Sequence, residues 1–190
     1  MAAVATGYPF RGAVPIDPNG ACRVVQMRDV EPNGLRWAGV ARVSLADPRP
    51  DYWLQPGDVL FVPRGDSLYA GLVDAGVEDC PTISAPQLFR LRVHDEGLLP
   101  AFMVWQLNQR PFQKQLAERA GGTAQRLVRK ADLQGLYVPL PPLDIQRQIV
   151  AFSALAECER AKLERLAELR TAEQAALAQR LYDTADWPIA

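Results

Sequence analysis

Short apolar segments, separated by turns rich in glycine and proline, follow one another through the first half of the chain. Segments bounded in this way predict β-strands. The predicted strands are 23–27, 37–45, 59–62, 69–73, 82–85 and 88–93. Residues 59–62 (Val-Leu-Phe-Val) are apolar without interruption, which predicts a strand buried on both faces. Residues 1–20 hold six glycines and prolines and predict a loop.

Helical spacing replaces this pattern after residue 99. Apolar side chains recur every three or four positions in residues 100–107, and a second helix is predicted for 111–120. Residues 137–140 form a short apolar segment that ends at two consecutive prolines, and they predict one more strand. Strands followed by helices, rather than alternating with them, favour an α+β fold.

The last element is the clearest, because residues 144–182 contain neither glycine nor proline. They predict one helix of about 58 Å, with Asp144 as the N-cap whose carboxylate accepts the free N–H groups of the first turn. Its apolar stripe is too long for so small a body to cover, so the helix is expected to pair as a coiled coil. The predicted dimerisation residues are Ile149, Phe152, Leu155, Leu163, Leu166 and Leu177.

Charge is nearly balanced over the 190 residues, with a formal net charge of −1 at pH 7. Its distribution is uneven, since residues 110–130 contain six basic residues and one acidic residue. This local excess of +5 marks a candidate anion-binding patch. A solvated helix face followed by a loop is the alternative interpretation of the same charges.

Composition also bears on location. No apolar run approaches the roughly 20 residues that a membrane span needs, and the N-terminus lacks the basic and apolar regions of a signal peptide. The three cysteines are odd in number and far apart, which indicates free thiols in a reducing cytoplasm. We therefore expect a cytoplasmic protein that does not contact a membrane.

The sequence lacks the common catalytic motifs. One histidine, His94, and no Cys-x-x-Cys pair leave neither a multi-histidine nor a zinc-ribbon metal site. Both common nucleotide-binding glycine loops are missing, and none of the three lysines has an acidic residue two positions before it. We expect no metal, no cofactor and no catalysis by this chain alone, and an enzyme with a different kind of site is the least favoured alternative.

Several segments resemble the specificity (S) subunits of type I restriction–modification systems. They are 54–61 (LQPGDVLF), 99–100 with 106–108 (LP and QLN), 122–123 with 136–143 (GT and LYVPLPPL), Gln146, and the opening 6–10 (TGYPF). Together, in this order and spacing, they cover nearly the whole chain. The resemblance implies a target recognition domain in residues 1–143, with a curled, mostly antiparallel sheet and a few helices. It implies a dimerisation and spacer helix with a tail in residues 144–190.

S subunits of this family contain two target recognition domains, each followed by a long helix, and the antiparallel helices set the spacing of a split DNA site. This chain has one domain and one helix. The resemblance thus implies a non-catalytic DNA-recognition subunit that directs a DNA adenine methyltransferase subunit, and a restriction subunit where the system has one. It would act as a homodimer through its helix or pair with a different half. The alternative is a protein–protein adaptor that dimerises through the helix without recognising DNA.

Basic and polar side chains in two regions are the candidates for contact with double-stranded DNA. A Gly-Gly-Thr loop among basic residues lets backbone N–H groups and cationic side chains approach phosphates. An arginine fork also suits the O6 and N7 atoms of guanine, so some of these residues have the chemistry to recognise base edges. The predicted DNA-binding residues are Arg64, Arg110, Lys114, Thr123, Gln125, Arg126, Arg129 and Lys130.

Overall fold

The computed structural model describes residues 2–46, 48–65, 67–119 and 127–183. Contacts divide the chain into two compact units, Met1–Val150, which we call the body, and Ala151–Ala190, which we call the helical unit. The strands are β1 (Ala2–Thr6), β2 (Cys22–Val25), β3 (Val30–Glu31), β4 (Gly34–Leu35), β5 (Ala41–Val43), β6 (Val59–Val62), β7 (Tyr69–Leu72), β8 (Thr82–Ser84) and β9 (Phe89–Val93). The helices are α1 (Pro100–Leu107), α2 (Arg110–Arg119), α3 (Lys130–Gln134) and α4 (Leu143–Asp183).

The strands of the described residues form three sheets. The largest has the order β1-β9-β6-β7 and is antiparallel throughout. A second has the order β5-β2-β8, in which β2 and β8 run parallel, and β3 pairs with β4 in a short hairpin. The α+β class and the mostly antiparallel pairing are confirmed.

Strand β6 is buried on both faces, as its uninterrupted apolar sequence predicted. Val59 and Phe61 point to one side, where they pack with apolar residues of α1, α2 and α3. Leu60 and Val62 point to the other side, into a second cluster that includes residues of β2 and β3. Successive side chains of a strand alternate between the faces of its sheet. β6 therefore joins two hydrophobic clusters and fixes the helices of the body against the sheets.

Three expectations near the chain's ends are corrected. The predicted loop 1–20 contains β1, because Ala2–Thr6 pairs along its whole length with β9. The predicted strand 137–140 is not a strand, since Pro139 and the two prolines after this segment lack the N–H group that a ladder requires. Helix α4 begins at Leu143, so Asp144 lies inside its first turn, where a carboxylate still favours the free N–H groups.

Two further elements differ from the sequence patterns. The predicted strand 37–45 shortens to Ala41–Val43, because the residues before it form a turn. Helix α3 was not predicted, since five residues are too few to show helical periodicity. The long helix is confirmed as a single element of 41 residues, Leu143–Asp183.

Candidate nucleic-acid interface

Asp58, the acidic residue of the 54–61 motif, ties a turn to a strand. Its carboxylate is almost completely buried and accepts hydrogen bonds from the Gln55 N–H at 2.9 Å and from the Arg92 guanidinium at 2.6 and 2.7 Å. Arg92 also donates to the Trp53 carbonyl oxygen at 3.0 Å. The hydrogen bond from Arg92 to Asp58 raises the pKa of this arginine. Both charges are thus committed to the body and are not available to a ligand.

Asn108, which follows α1, ties this helix to the edge of the largest sheet. Its side-chain oxygen accepts from the Ala70 N–H at 2.8 Å, and its amide nitrogen donates to the Ala70 carbonyl at 2.9 Å. The side chain therefore makes the two hydrogen bonds that another strand would make with β7. The same nitrogen lies 2.9 Å from Asn33 Oδ1, so Asn108 also connects the β3–β4 hairpin to α1 and β7.

Gln146, in the first turns of α4, is fully buried and makes three hydrogen bonds. Its oxygen accepts from the Leu99 N–H at 2.9 Å, and its nitrogen donates to the carbonyl oxygens of Gly97 at 2.7 Å and Pro141 at 2.8 Å. These bonds fix the start of α4 to the start of α1. The polar residues of these motifs therefore hold the body together.

Arg64 lies exposed in the turn after β6, and a second segment of chain pairs with this turn. Arg64 and Leu127 form an isolated antiparallel bridge, and the Val128 N–H donates to the Pro63 carbonyl oxygen at 2.8 Å. Arg129 and Lys130 follow directly and are exposed at the start of α3. Two predicted regions that are more than sixty residues apart in sequence therefore meet at one surface.

Two arginines that the sequence analysis missed extend this surface. Arg64 Nε lies 3.4 Å from Met27 Sδ, which places the turn beside Arg28. Arg36 Nη2 in turn donates to the Arg28 carbonyl oxygen at 2.9 Å. We call Arg28, Arg36, Arg64, Arg129 and Lys130 the basic surface. Arg28 and Arg36 flank a Pro-Asn turn, and this sequence feature could have identified them.

Acidic neighbours leave the basic surface accessible. Within the described residues, Arg28 lies 3.8 Å from Asp29, Arg36 lies 3.7 Å from Glu31, and Arg129 lies 3.9 Å from Asp132. All three arginines are more than half exposed, and ion pairs of such length and exposure contribute little. The guanidinium groups can therefore turn toward an anionic ligand at small cost.

The remaining predicted residues are separate from this surface or outside the described part. Arg110 and Lys114 are exposed on α2, where Lys114 lies 4.0 Å from Glu118. Among the described residues, no hydrogen bond or ion pair joins α2 to the Arg64 turn. Thr123, Gln125 and Arg126, with the Gly-Gly-Thr loop, lie outside the described residues.

The predicted dimerisation residues occupy two environments. Ile149 belongs to the body and is half-buried beside α1 and α2. The others are exposed along α4, and they are Phe152, Leu155, Leu163, Leu166 and Leu177. A stripe of large apolar side chains thus faces solvent in the single chain.

Residues 2–46, 48–65, 67–119 and 127–183 contain no group of three or more His, Cys, Asp or Glu residues that could hold a metal ion. Over the same ranges, no helix is long and apolar enough to cross a bilayer.

No protein-family model and no curated protein matches the sequence, but solved structures match its fold. A chain from a structure of the assembly and conformational transition of a type I R-M system has a TM-score of 0.71, with 22% identity over 97% of this chain and 43% of that chain. The HsdS subunit from Thermoanaerobacter tengcongensis has a TM-score of 0.61, with 23% identity over 94% of this chain and 42% of that chain. The S subunit of a type I restriction–modification system from M. genitalium has a TM-score of 0.53, with 18% identity over 97% of this chain and 44% of that chain.

These matches concern the fold, because the identities are 18 to 23%. The fold is similar to that of type I S subunits over nearly the whole chain, which confirms the resemblance that the motifs indicated. The chain spans less than half the length of the solved structures that it matches.

Proposed function

We propose that this chain is a sequence-specific DNA-recognition subunit of a type I-like restriction–modification methyltransferase complex. In this proposal, residues 1–143 recognise DNA, residues 144–190 assemble the complex, and a partner DNA adenine methyltransferase supplies catalysis. A restriction subunit joins where the system has one. The observation that carries the proposal is the basic surface, which three separate segments form on a fold similar to that of S subunits.

The chemistry of the basic surface suits a duplex. Arg28, Arg36, Arg129 and Lys130 have flexible, exposed cationic groups, which suit phosphate oxygens and fix register without recognising sequence. Arg64 lies among them on a tight turn, where its fork can enter a groove and bind guanine. Because the whole chain has a net charge of −1, its own affinity for DNA should be modest, with partner subunits adding phosphate contacts.

The exposed stripe on α4 supports the assembly part of the proposal. Two copies related by a twofold axis would cover each other's stripe and place one body at each end of the helix pair. Identical recognition domains in this arrangement bind inverted copies of one half-site. The methylated target should therefore be an interrupted palindrome, and a non-palindromic target would indicate pairing with a different half.

An adaptor function is the second candidate, and an apolar cleft in the body is the observation that favours it. The cleft has a volume of ≈ 590 Å³ and is lined by α1, α2 and residues 137–141. An adaptor would bind a protein there and would not require the basic surface. Loss of DNA binding when the basic surface is neutralised would support DNA recognition and would exclude the adaptor function.

The test measures the salt dependence of DNA binding by the chain together with its methyltransferase subunit. Arg129→Ser combined with Lys130→Ser should weaken binding to all sequences and reduce the salt slope by about two, since each phosphate contact contributes about 0.9. Arg11→Ser, at an exposed position of the N-terminal loop, is the control for loss of a positive charge. A slope equal to that of the wild-type complex would exclude these residues from the interface.

A second measurement addresses catalysis. The complex should transfer methyl groups from S-adenosylmethionine to one defined sequence, and neither subunit alone should do so at that sequence. Methyl transfer by the highly purified chain without a partner would contradict the non-catalytic assignment. Sequence-specific methylation by the partner without this chain would contradict its role in recognition.

A further inference from the structure

The apolar cleft lies where α4 begins. Trp105 of α1 and the exposed side chains of Tyr137 and Leu140 form much of its wall, and Ile149 of α4 completes it. Gln106 also lines the cleft, and its Oε1 atom is buried without a hydrogen-bond partner among the described residues. The cleft therefore offers a large apolar surface and one buried acceptor that a donor from outside could satisfy.

The apolar stripe of α4 follows a seven-residue repeat that starts at Ile149. The first core positions (a) are Ile149, Ala156, Leu163, Arg170 and Leu177, and the second core positions (d) are Phe152, Glu159, Leu166, Glu173 and Arg180. Most of these residues are apolar, but charges interrupt the stripe on both sides of its centre. The positions of these charges restrict how a second copy can align.

In an antiparallel pair of identical helices, each first core position of one helix faces a second core position of the other. An axis between residues 164 and 165 pairs Leu163 with Leu166 and Phe152 with Leu177, each apolar residue with another. The same axis pairs Glu159 with Arg170, so opposite charges meet. Each of these three layers occurs twice in a twofold pair.

The proposed axis leaves two layers mismatched, Ala156 with Glu173 and Ile149 with Arg180, whereas alignments displaced by one heptad have three or four such layers. One displacement places Leu163 against Glu159 and Phe152 against Arg170, and the other places Leu163 against Glu173 and Leu166 against Arg170. Each buries a charge against an apolar side chain, which costs several kcal/mol by desolvation. The charges thus favour a single register.

Glu159 and Arg170 are available for a contact between copies. Both are exposed, and within the described residues neither makes an ion pair along its own helix. Their neighbours Arg160 and Glu164 do pair along the helix, at 2.8 Å. A complementary pair between copies also selects against other alignments, because it leaves a charge unmatched in each of them.

This register brings the end of one helix to the cleft of the other copy. Ile149 faces Arg180 of the second copy across the axis, and Ile149 lines the cleft. Leu177 and Leu181, one turn apart, present an exposed apolar edge at this end of the helix. The guanidinium of Arg180 carries donors that Gln106 Oε1 can accept.

We propose that the cleft is the docking site for the end of α4, residues 177–181, of a second copy of this chain. The two helices pair antiparallel about an axis between residues 164 and 165, with ion pairs between Glu159 and Arg170. This inference rests on the self-pairing of α4 in the proposed function. It adds the register and assigns the cleft to a segment of the chain itself rather than to a separate partner protein.

Charge reversal tests the register. Glu159→Arg and Arg170→Glu should each raise the Kd of the full-length dimer at least about tenfold, and the double reversal should restore it to within about threefold. Sedimentation equilibrium measures the Kd. Glu168→Arg, outside the core positions, is the control with the same charge change and should have little effect. A double reversal no tighter than the single variants would overturn the register.

Disulfide trapping gives an independent readout. Phe152→Cys with Leu177→Cys, in a Cys158→Ser background, should form a covalent dimer under a mild thiol oxidant. The two positions are about 37 Å apart along one helix, so the bond must join two chains. Phe152→Cys with Arg170→Cys matches the displaced alignment and is the control. Efficient cross-linking of the control pair, and not of the first pair, would overturn the inference while leaving self-pairing intact.

Leu140→Glu tests the cleft. Leu140 is exposed in the single chain, so the body should fold normally while the dimer Kd rises about tenfold or more. The double variant Leu140→Glu/Leu181→Asp should raise the dimer Kd by less than the product of the two single effects, because both changes remove the same contact. Leu127→Glu, at a similarly exposed leucine of the body, is the control. An unchanged Kd for Leu140→Glu would overturn the docking, and a wild-type chain that stays monomeric at tens of micromolar would overturn the docking and the self-pairing together.

Discussion

Gln146→Glu replaces one side-chain nitrogen by oxygen at the most completely buried polar position of the described chain. The new oxygen would face the carbonyl oxygens of Gly97 and Pro141, which now accept hydrogen bonds at 2.7 and 2.8 Å. At neutral pH the carboxylate can donate to neither. Each acceptor left unsatisfied costs about 1–3 kcal/mol, and a buried charge adds to this. We expect the free energy of unfolding to fall by about 4 kcal/mol at pH 7.

The loss should depend on pH in a defined direction. A protonated carboxyl has one O–H and can donate to one of the two carbonyl oxygens, whereas the carboxylate can donate to neither. The pKa of this group in the folded variant therefore lies above the unfolded value of about 4.3. A group of this kind contributes its stability fully below the unfolded pKa and loses it as the pH rises through the folded pKa. The variant should therefore lose less stability near pH 4, where one carbonyl oxygen stays unsatisfied at a cost of about 1–3 kcal/mol, than near pH 7.

Urea unfolding followed by tryptophan fluorescence measures this difference, because Trp37, Trp53 and Trp105 all belong to the body. With a slope of about 2 kcal/mol per molar urea, the midpoint at pH 7 should drop by about 2 M. Protein concentration is kept constant, since self-association stabilises the folded chain. Gln148→Glu, the same change at an exposed position two residues later, is the control.

Equal midpoints for Gln146→Glu and Gln148→Glu at pH 7 would refute the reasoning. That result would mean that the three hydrogen bonds of Gln146 do not hold α4 to the body. A large loss that is the same at pH 4 and pH 7 would refute the protonation argument alone.

Three further predictions concern the body. A Cβ at position 71 would overlap the Gly34 carbonyl oxygen, so Gly71→Ala should displace the β3–β4 hairpin. The free energy of unfolding should fall by more than about 1 kcal/mol. Gly34→Ala is the control, because its Cβ meets open space and should leave the free energy of unfolding unchanged. Arg64→Ala should relax preference at one base pair by about 1–3 kcal/mol in competition binding to variant sites, and an unaltered preference would mean that Arg64 does not recognise a base. The Ser44 hydroxyl donates to the Asp17 carboxylate at 2.6 Å and lowers the pKa of Asp17 below 3.8. Ser44→Ala should therefore raise the Asp17 pKa in an NMR titration, and an unchanged Asp17 pKa would contradict this cause.

Elements with strong local patterns could be predicted from the sequence. Strand β6 is a continuous apolar segment, and β9 (Phe-Arg-Leu-Arg-Val) alternates apolar and basic residues. These two strands and β7 lie between turns, and α1, α2 and α4 have helical periodicity, so each was placed within a few residues. Strand β1 could not be predicted, because its small side chains have little strand preference and its pairing depends on β9. Residues 137–140 have a strand-like composition, but proline removes the hydrogen bonds that would make them one.

The candidate interface was predictable in part for a similar reason. Arg64, Arg129 and Lys130 were identified by charge and turn chemistry, which are properties of neighbouring residues. Their meeting depends on the bridge between Arg64 and Leu127, a tertiary contact that no local pattern encodes. The arginines of the β3–β4 hairpin join the surface through Met27 and were missed for the same reason.

The separation between buried polar ties and exposed cations has a consequence for how such a protein can change. Asp58, Asn108 and Gln146 make the hydrogen bonds that hold the elements together, whereas the basic surface makes few that the fold needs. Substitutions at exposed positions without such bonds usually alter stability by less than about 0.5 kcal/mol. Under the proposed function, a lineage could therefore replace the side chains of the basic surface one at a time, and acquire new DNA targets, while the protein stays folded at every step.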